Sequence, residues 1–420
     1  MSRPKRSSER GAILLHVAVA LMALIAVNTF VVDYGVMWVA RRQAQNAADA
    51  GALAGAVAMA FDPEGWTDRS ETGPARLAAY QVARTNAIWG EPPDVNIATD
   101  VFFTDQPAAQ CRDADGNARC IRVNVYRNQD RGNSLPTVFG QIVGLTGQGV
   151  RATATARVAV ADGTDCLKPV AIPDKWRNVN HTSGEVQPWS LDDTFETHTP
   201  SGDTWLPLAN PDVYVAPSET DPGTGFTVTA DLGMYLELSI AGPDSVAAGH
   251  FVAVQLPRSN PLPDDGSVFR ANIKTCNGVP IVIGESFPME EADPDSIDED
   301  FDTGFEYIHE EDENAWWDPE TKSVQDSCVQ NGSCPEFSHS PRIVALPIYD
   351  TGQYFNGIVT GQSAPPVTIV NIVGFFVEDF RTEGGHHIVE GYITEAPGLE
   401  LGSSTITPQS SLLSQIQLVR

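Results

Sequence analysis

The stretch AILLHVAVALMALIAVNTFVV, from Ala12 to Val32, decides how this chain is organised. It carries no charged residue, follows a basic segment at residues 1–10, and ends at Asp33. A helix needs about 20 apolar residues to cross the hydrocarbon core of a bilayer, so we predict a transmembrane helix over residues 11–33. Because basic flanks stay in the cytoplasm, residues 1–10 are expected to be cytoplasmic and the rest of the chain extracytoplasmic.

The same helix is expected to continue beyond the membrane. After the span the chain is rich in alanine, and the next proline is Pro63. A helix over residues 12–61 would be about 75 Å long at 1.5 Å per residue. Phe30, Tyr34 and Trp38 recur at four-residue intervals, which suits an aromatic belt at the outer headgroups.

Small residues follow along this helical extension. Ala47, Gly51 and Gly55 lie at four-residue spacing on one predicted helix face. Such a face allows close approach of another helix, so we predict that it packs beside helices of partner proteins.

A cleaved secretory signal is the competing interpretation. Ala56, Ala58 and Ala60 offer small residues at the spacing of a cleavage site. However, the apolar run exceeds the roughly 7 to 15 residues of a signal peptide, and Arg41 and Arg42 separate it from those sites. An uncleaved signal anchor is therefore favoured.

Charge is distributed unevenly along the 420 residues, whose formal net charge is −29. Beyond residue 42, 20 Lys and Arg stand against 53 Asp and Glu. Nucleic acid and anionic lipid both require a basic surface, so neither is an expected partner. A soluble acidic surface is favoured over specific cation binding as the reason for this composition.

All six cysteines follow the span and should meet an oxidising compartment, where disulfides form. Six cysteines allow 15 connectivities. Proximity in the sequence favours Cys111 with Cys120 and Cys328 with Cys334, which leaves Cys166 with Cys276. No CxxC motif or zinc-like Cys and His spacing occurs, so these thiols are not expected to bind metal.

The pattern beyond the span predicts an α+β chain with two exported parts. Residues 34–161 combine an expected helix at Ser134–Leu145 with alternating segments typical of strands, such as Val95–Phe103, and predict a membrane-proximal α+β unit. Residues 162–420 predict an acidic, disulfide-containing, β-rich outer domain. Within it, residues 290–335 are expected to form a surface insertion with a helical piece near Phe301–Glu311.

Several motifs resemble the TadE and TadG-like proteins of the Flp (tight adherence, Tad) pilus system. They are the basic start followed by one span, VDYG at residues 32–35, AQNAADAGALAGA at residues 44–56, and SLPTVFGQIVGLTGQGVRATATARV at residues 134–158. The resemblance implies a pilin-like membrane-proximal unit and a part in pilus assembly. It also implies that the partners are other pilus-assembly or pilin-like membrane proteins.

Two differences from that family refine the resemblance. Members cut by a prepilin peptidase have Gly at the cleavage site and Glu five residues later, whereas this chain has Gly11 followed by His16. The chain is thus more similar to uncleaved TadG-like members. It has no DxSxS motif, so the von Willebrand A-type domain of some TadG-like proteins is not expected.

Weak calcium candidates occur at two places. Asp113, Asp115 and Asn117 follow the 1, 3, 5 spacing of a calcium loop, and Asp298, Asp300 and Asp302 repeat it. Glycine is misplaced in both loops, so a turn is favoured at the first and calcium is not the preferred interpretation of the second.

Two pairs of adjacent ring side chains are further candidates for ligand sites. His386 and His387 are adjacent and would point to opposite faces of a strand, which favours surface histidines. Trp316 and Trp317 could stack on a carbohydrate, but a buried or half-buried pair is favoured.

The sequence therefore predicts a structural protein of a bacterial envelope. It would be anchored by one span in the inner membrane, with the bulk of the chain periplasmic or extracellular, and would help to assemble or anchor a Flp-type pilus. The alternative is a membrane-tethered adhesin or calcium-dependent binding module. No GxSxG, HExxH, phosphate-binding or dinucleotide motif occurs, so we expect neither an enzyme nor a cofactor, and calcium is only a weak candidate.

Overall fold

A computed structural model describes most of the chain, in the ranges 7–61, 68–112, 118–202, 204–218, 221–240, 245–264, 266–331, 333–334, 339–399 and 412–419. The chain divides into two compact units. Unit 1 comprises Met1–Val158 and Ile416–Arg420, and unit 2 comprises Ala159–Gln415. Helices and strands occur in both, which confirms the predicted α+β class.

The helices are, in chain order, α1 Ser7–Asn28, α2 Tyr34–Phe61, α3 Pro74–Thr85, α4 Ile97–Asp100, α5 Ala108–Cys111, α6 Val228–Asp231, α7 Val268–Lys274, α8 Pro294–Glu310, α9 Cys328–Asn331 and α10 Thr351–Val359. The strands are β1 Val101–Thr104, β2 Cys120–Arg127, β3 Leu135–Pro136, β4 Gly147–Gln148, β5 Val150–Val160, β6 Gly163–Thr164, β7 Val170–Pro173, β8 His198–Ser201, β9 Thr204–Pro207, β10 Tyr235–Ile240, β11 His250–Ala253, β12 Ile281–Val282, β13 Ser286–Phe287, β14 Trp316–Asp318, β15 Ser323–Gln325, β16 Ile343–Tyr349, β17 Val367–Glu383, β18 His386–Thr394, β19 Ala396–Pro397 and β20 Leu413–Val419.

Unit 1 is a helical pair on a sheet. Helices α1 and α2 are joined by a π-helical turn at Thr29–Asp33, so the helix runs on past the apolar stretch as predicted. Helix α2 packs against α3 and strand β2, and β1, β2, β5 and β20 lie side by side in that order. Alternation in ATATA at residues 152–156 explains β5, because side chains of a strand point to opposite faces in turn. The buried cluster is dominated by alanines of α2, α3 and β5.

Two local predictions in unit 1 are wrong. The segment Ser134–Leu145 is not an α-helix, because Leu135 and Pro136 pair with β4 and only Gly140–Val143 form a 3-10 turn. The backbone N–H groups of Val138 and Gly140, which helical hydrogen bonds would use, donate to a side chain instead. The expected strand Val95–Phe103 begins later, because the Asn96 side chain accepts from the Ala98 N–H and caps α4.

Unit 2 is built on a seven-stranded sheet in the order β13-β17-β16-β7-β11-β10-β18. An additional pairing of β17 with β18 closes six of these strands into a ring, and β13 pairs with β17 outside it. Strand β17 is long enough to pair with both β16 and β18, and its register shifts between Val377 and Asp379. Such a bulge bends a strand and increases its twist, which suits closure of a sheet.

The prediction that residues 290–335 form a surface insertion is wrong for the helical part of this segment, which is buried. Helix α8 begins at Pro294 and buries Ile297, Phe301, Phe305 and Ile308 in the core of unit 2. Their spacing of three and four residues places them on one helix face. The expected helical piece near Phe301–Glu311 is thus present as part of α8, but it belongs to the core rather than to a surface insertion.

Disulfides join the cysteines as Cys111–Cys120, Cys166–Cys276 and Cys328–Cys334. These are the pairs that sequence proximity favours. Cys166–Cys276 closes the longest loop, with a sequence separation of 110.

Candidate functional site

The N-terminal helix is the first element of the candidate site. Within the described residues, Ile13–Ala60 is the helix that is long and apolar enough to cross a membrane. Its apolar window is not buried inside the protein, and Met22, for example, is 67% exposed. Lipid is the environment in which such a surface is stable, because each exposed apolar side chain is unfavourable in water.

The apolar stretch ends in a π-helical turn, and Asp33 closes that turn. A π turn adds a residue to the helix and changes which face the following side chains occupy. Asp33 is only 6% exposed and begins a buried stripe that continues through Val36, Ala40 and Ala44. This stripe is the face that α2 presents to the rest of unit 1.

Asp33 binds the loop between β3 and β4. Its carboxylate accepts hydrogen bonds from the backbone N–H of Val138 at 2.7 Å and of Gly140 at 2.6 Å. The Gln148 side-chain amide donates to the Asp33 carbonyl at 3.1 Å. Hydrogen bonds to a charged acceptor are about twice as strong as neutral ones, so this carboxylate fixes the loop beside the end of the apolar stretch.

Aromatic side chains lie just beyond Asp33. Tyr34 and Trp38 are exposed, and the Arg42 guanidinium stands 4.3 Å from the centre of the Trp38 ring. A cation over an aromatic face is attracted by its π electrons. Tyr34 and Trp38 of the predicted aromatic belt are therefore exposed and accessible to lipid headgroups. The side chain of Phe30, the third member of that belt, lies outside the described residues.

The small-residue face packs inside unit 1, which corrects its predicted role. Ala47 is fully buried, and a Cβ added to Gly51 would lie 2.8 Å from the Ala83 Cβ. A Cβ added to Gly55 would lie 2.9 Å from the Ala79 Cβ. These residues do allow close helix packing, but the helix they receive is α3 of the same chain. A partner protein therefore does not have this face to bind.

The second weak calcium candidate, at residues 298–302, has a local geometry other than a calcium loop. Asp298, Asp300 and Asp302 lie in helix α8 rather than in a loop, and residues two apart on a helix point in different directions. Asp300 lies 3.4 Å from the Arg270 guanidinium. Asp298 and Asp302 flank the His387 ring at 3.1 and 3.6 Å, so His387 is not the simple surface histidine that was expected.

The remaining candidate positions belong to unit 2 or lie outside the described residues. Asp113, Asp115 and Asn117 are outside the described residues. Trp317 is buried and stacks on Tyr392 at 5.3 Å, whereas Trp316 is half exposed and donates to Asp326. In the part of the chain that the structure describes, no group of three metal-ligating side chains could hold an ion.

The binding role of Asp33 was missed by the sequence interpretation, which used this residue only as the end of the span. Val138 and Gly140 follow it by 105 and 107 positions, and no spacing rule connects residues so far apart. The π-helical turn that accompanies it has no sequence signature that we recognise.

Comparison with known families bears on this same region. A family model described as putative Flp pilus-assembly TadE/G-like matches residues 11–58. Neither the comparison with curated proteins nor that with solved structures found a match. The matched stretch contains the apolar span, the π-helical turn and nearly all of α2. Residues 11–58 are thus similar to the TadE/G-like family that the sequence motifs indicated.

Proposed function

We propose that the chain is a single-pass membrane protein with a structural role in assembling or anchoring a Flp-type pilus, and that it is not an enzyme. The observation that supports this most is the position of the family match. It covers the helix that is apolar enough to span a membrane and the helix α2 that forms the core of unit 1. The matched region is thus both the proposed anchor and the element that connects it to a folded unit.

The orientation follows from charge. Basic residues precede the span, and the chain beyond it is strongly acidic. The N-terminus would therefore be cytoplasmic and the span would lie in the inner membrane, with the bulk of the chain periplasmic or extracellular. The acidity also disfavours nucleic acid as a partner.

The partners would be the lipid bilayer and other pilus-assembly or pilin-like membrane proteins. Since Gly51 and Gly55 are covered by α3 and Ala47 is buried, we assign these contacts to the exposed apolar surface of α1. Helices associate in lipid through close packing and hydrogen bonds rather than through the hydrophobic effect.

The test is affinity purification of the tagged full-length chain from gently solubilised membranes, followed by mass spectrometry. The matched control replaces residues 12–32 with an unrelated apolar sequence of the same length, which keeps the anchor and removes the specific helix surface. We expect pilus-assembly proteins to be enriched with the natural chain and depleted with the control. Equal recovery in both, or no pilus-assembly protein in either, would contradict the proposal.

A further inference from the structure

The loop between β3 and β4 presents apolar side chains that unit 1 leaves uncovered. Val138 is 57% exposed and Leu145 is 59% exposed. Leucine and valine are usually buried, and exposed apolar side chains held next to each other indicate a contact surface. The loop is nevertheless ordered by internal bonds, because the Thr137 hydroxyl donates to the Leu145 carbonyl at 2.5 Å.

Asp33 places this loop at the level where the long helix leaves the apolar stretch. The backbone N–H of Val138 lies 2.7 Å from the Asp33 carboxylate. Leu145 is close by as well, because a Cβ on Gly140 would lie 3.1 Å from Asp33 and 3.3 Å from the Leu145 Cβ. Val138 and Leu145 therefore both lie near Asp33, the last residue of the predicted span.

The helix itself continues the same apolar surface. Val31 and Tyr34, on either side of Asp33, are exposed. Val138 and Leu145 lie near the same Asp33, and we call these four exposed residues at the end of the apolar stretch the exit patch. Apolar and aromatic side chains at the point where a helix leaves the bilayer core are typical of contact with the interfacial region.

We infer that the exit patch is a lipid-binding surface, in which the β3–β4 loop inserts Val138 and Leu145 into the outer interfacial layer of the same membrane that α1 spans. This inference rests on the proposed membrane anchor. Its occupant is lipid rather than a partner protein, because Asp33 holds the loop beside the end of the exposed apolar helix surface. Two contacts with the bilayer, the span and the loop, would restrict tilting of unit 1 relative to the membrane.

The test measures the depth of single labels in phosphatidylcholine vesicles that contain the full-length chain. An environment-sensitive fluorophore is attached to an added cysteine in the variants Val138→Cys and Leu145→Cys, because the six natural cysteines are paired in disulfides. Lipids with a nitroxide near the headgroups or near the bilayer centre act as quenchers. Both positions are exposed, so labelling does not require a change in the core.

Two control positions in unit 1 calibrate the result. Leu21→Cys lies in the exposed apolar stretch and should be quenched by the deep nitroxide. Leu77→Cys is an exposed position of α3, which packs beside Gly51 and Gly55, about 27 to 33 Å along the helix beyond Asp33 at 1.5 Å per residue. It should remain unquenched by either lipid.

We expect labels at positions 138 and 145 to lose most of their fluorescence with the shallow nitroxide and to shift their emission to the blue. If Leu21 is quenched while both loop positions behave like Leu77, the anchor stands and the lipid-binding loop is wrong, and a protein partner becomes the occupant to seek. If Leu21 is also unquenched, the proposed anchor itself is wrong and this inference is overturned with it.

Discussion

Unit 1 brings its helices together through small side chains, whereas unit 2 fills its interior with large ones. The buried cluster of unit 1 is mainly alanine, and Gly51 and Gly55 allow α2 to approach α3 closely. In unit 2, Phe301 stacks on Phe251 with ring centres 4.4 Å apart and meets Phe305 edge-on at 4.9 Å. Close approach and volume filling are both ways to reach the packing density of a protein interior.

The difference determines which changes each unit tolerates. The contact between α2 and α3 in unit 1 requires glycine, which has no side chain, at Gly51 and Gly55. An added methyl group there should therefore destabilise the unit. Unit 2 depends on rings that are present, so truncation should damage it. The following experiments use this contrast, from the largest expected effect to the smallest.

Truncation in unit 2 should have the largest effect. Phe301→Ala removes a fully buried ring from the face that α8 presents to the core, and we expect a loss of about 3 to 5 kcal/mol in the free energy of unfolding. Chemical denaturation of the full-length chain in detergent, followed by tryptophan fluorescence, would measure it. Tyr307→Ala, at a partly exposed position of the same helix, is the matched control and should cost far less. Equal effects of the two changes would show that α8 is not a core element.

Addition of one methyl group in unit 1 should have an effect that depends on position. Gly51→Ala would place its Cβ 2.8 Å from the Ala83 Cβ and 2.9 Å from the Ala79 carbonyl oxygen, so we expect a loss of about 1 to 3 kcal/mol. Gly35→Ala in the same helix meets nothing within 4 Å and should stabilise the helix by up to about 1 kcal/mol. Hydrogen exchange of peptides from α2 and α3 would measure both.

Faster hydrogen exchange in Gly51→Ala and slower exchange in Gly35→Ala would show that α2 packs tightly against α3 in the folded chain. If Gly51→Ala also slowed exchange, the close contact between the helices would be wrong, and the small-residue face would again be free for a partner.

Removal of the Asp33 carboxylate should loosen the β3–β4 loop. Asp33→Ala leaves the buried N–H of Gly140 without its acceptor, and an unpaired buried donor costs about 1 to 3 kcal/mol. We expect faster hydrogen exchange in residues 134–148, with strand β2 as the internal reference. Unchanged exchange of this loop would mean that Asp33 does not hold it.

The pH dependence of stability should differ between buried and exposed carboxyl groups. Burial raises the pKa of Asp174 and of Glu395 in unit 2 to about 7. In unit 1 the hydrogen bond from Arg112 lowers the pKa of the exposed Asp105. Groups with a raised pKa keep protons in the folded chain that the unfolded chain has lost, so their contribution to stability falls as the pH rises from about 4 to about 7. The Asp105 contribution has the opposite sign and is lost in acid, as the pH falls below the usual pKa of the group.

Glu395→Gln tests this effect with little change in shape, because the amide oxygen can still accept from the Ser414 hydroxyl. We expect the natural chain to lose stability between about pH 4 and about pH 7 and the variant to lose less of it, as measured by denaturation midpoints. Parallel pH profiles would show that Glu395 is not buried in the folded chain.

Local pattern was sufficient for much of the fold. The charge-free run of α1, the alternation in β5 and the apolar spacing in α8 each reflect contacts made by one element, so they can be read from neighbouring residues. Gly51 and Gly55 were also recognised as a packing face from their spacing, but spacing alone could not distinguish α3 of the same chain from a helix of another protein.

Long-range contacts explain the errors. The helix expected at Ser134–Leu145 is replaced by a loop because Asp33, more than 100 residues earlier, takes its backbone N–H groups. The exit patch was missed for the same reason, since nothing near Val138 in the sequence indicates Asp33. In α8 the three aspartates have the spacing of a calcium loop, but the segment is a helix, in which Asp298 and Asp302 lie beside His387 and Asp300 lies beside Arg270.

The most direct test of the central claim fuses alkaline phosphatase, which is active only after export, to the C-terminus of the full-length chain. The same fusion without residues 12–32 is the control. We expect an active reporter that stays with the membrane fraction at high salt, and an inactive one in the control. An inactive reporter retained in the cytosol, or release of the full-length product by salt, would contradict a chain anchored by the Ala12–Val32 helix with the residues beyond that helix exported.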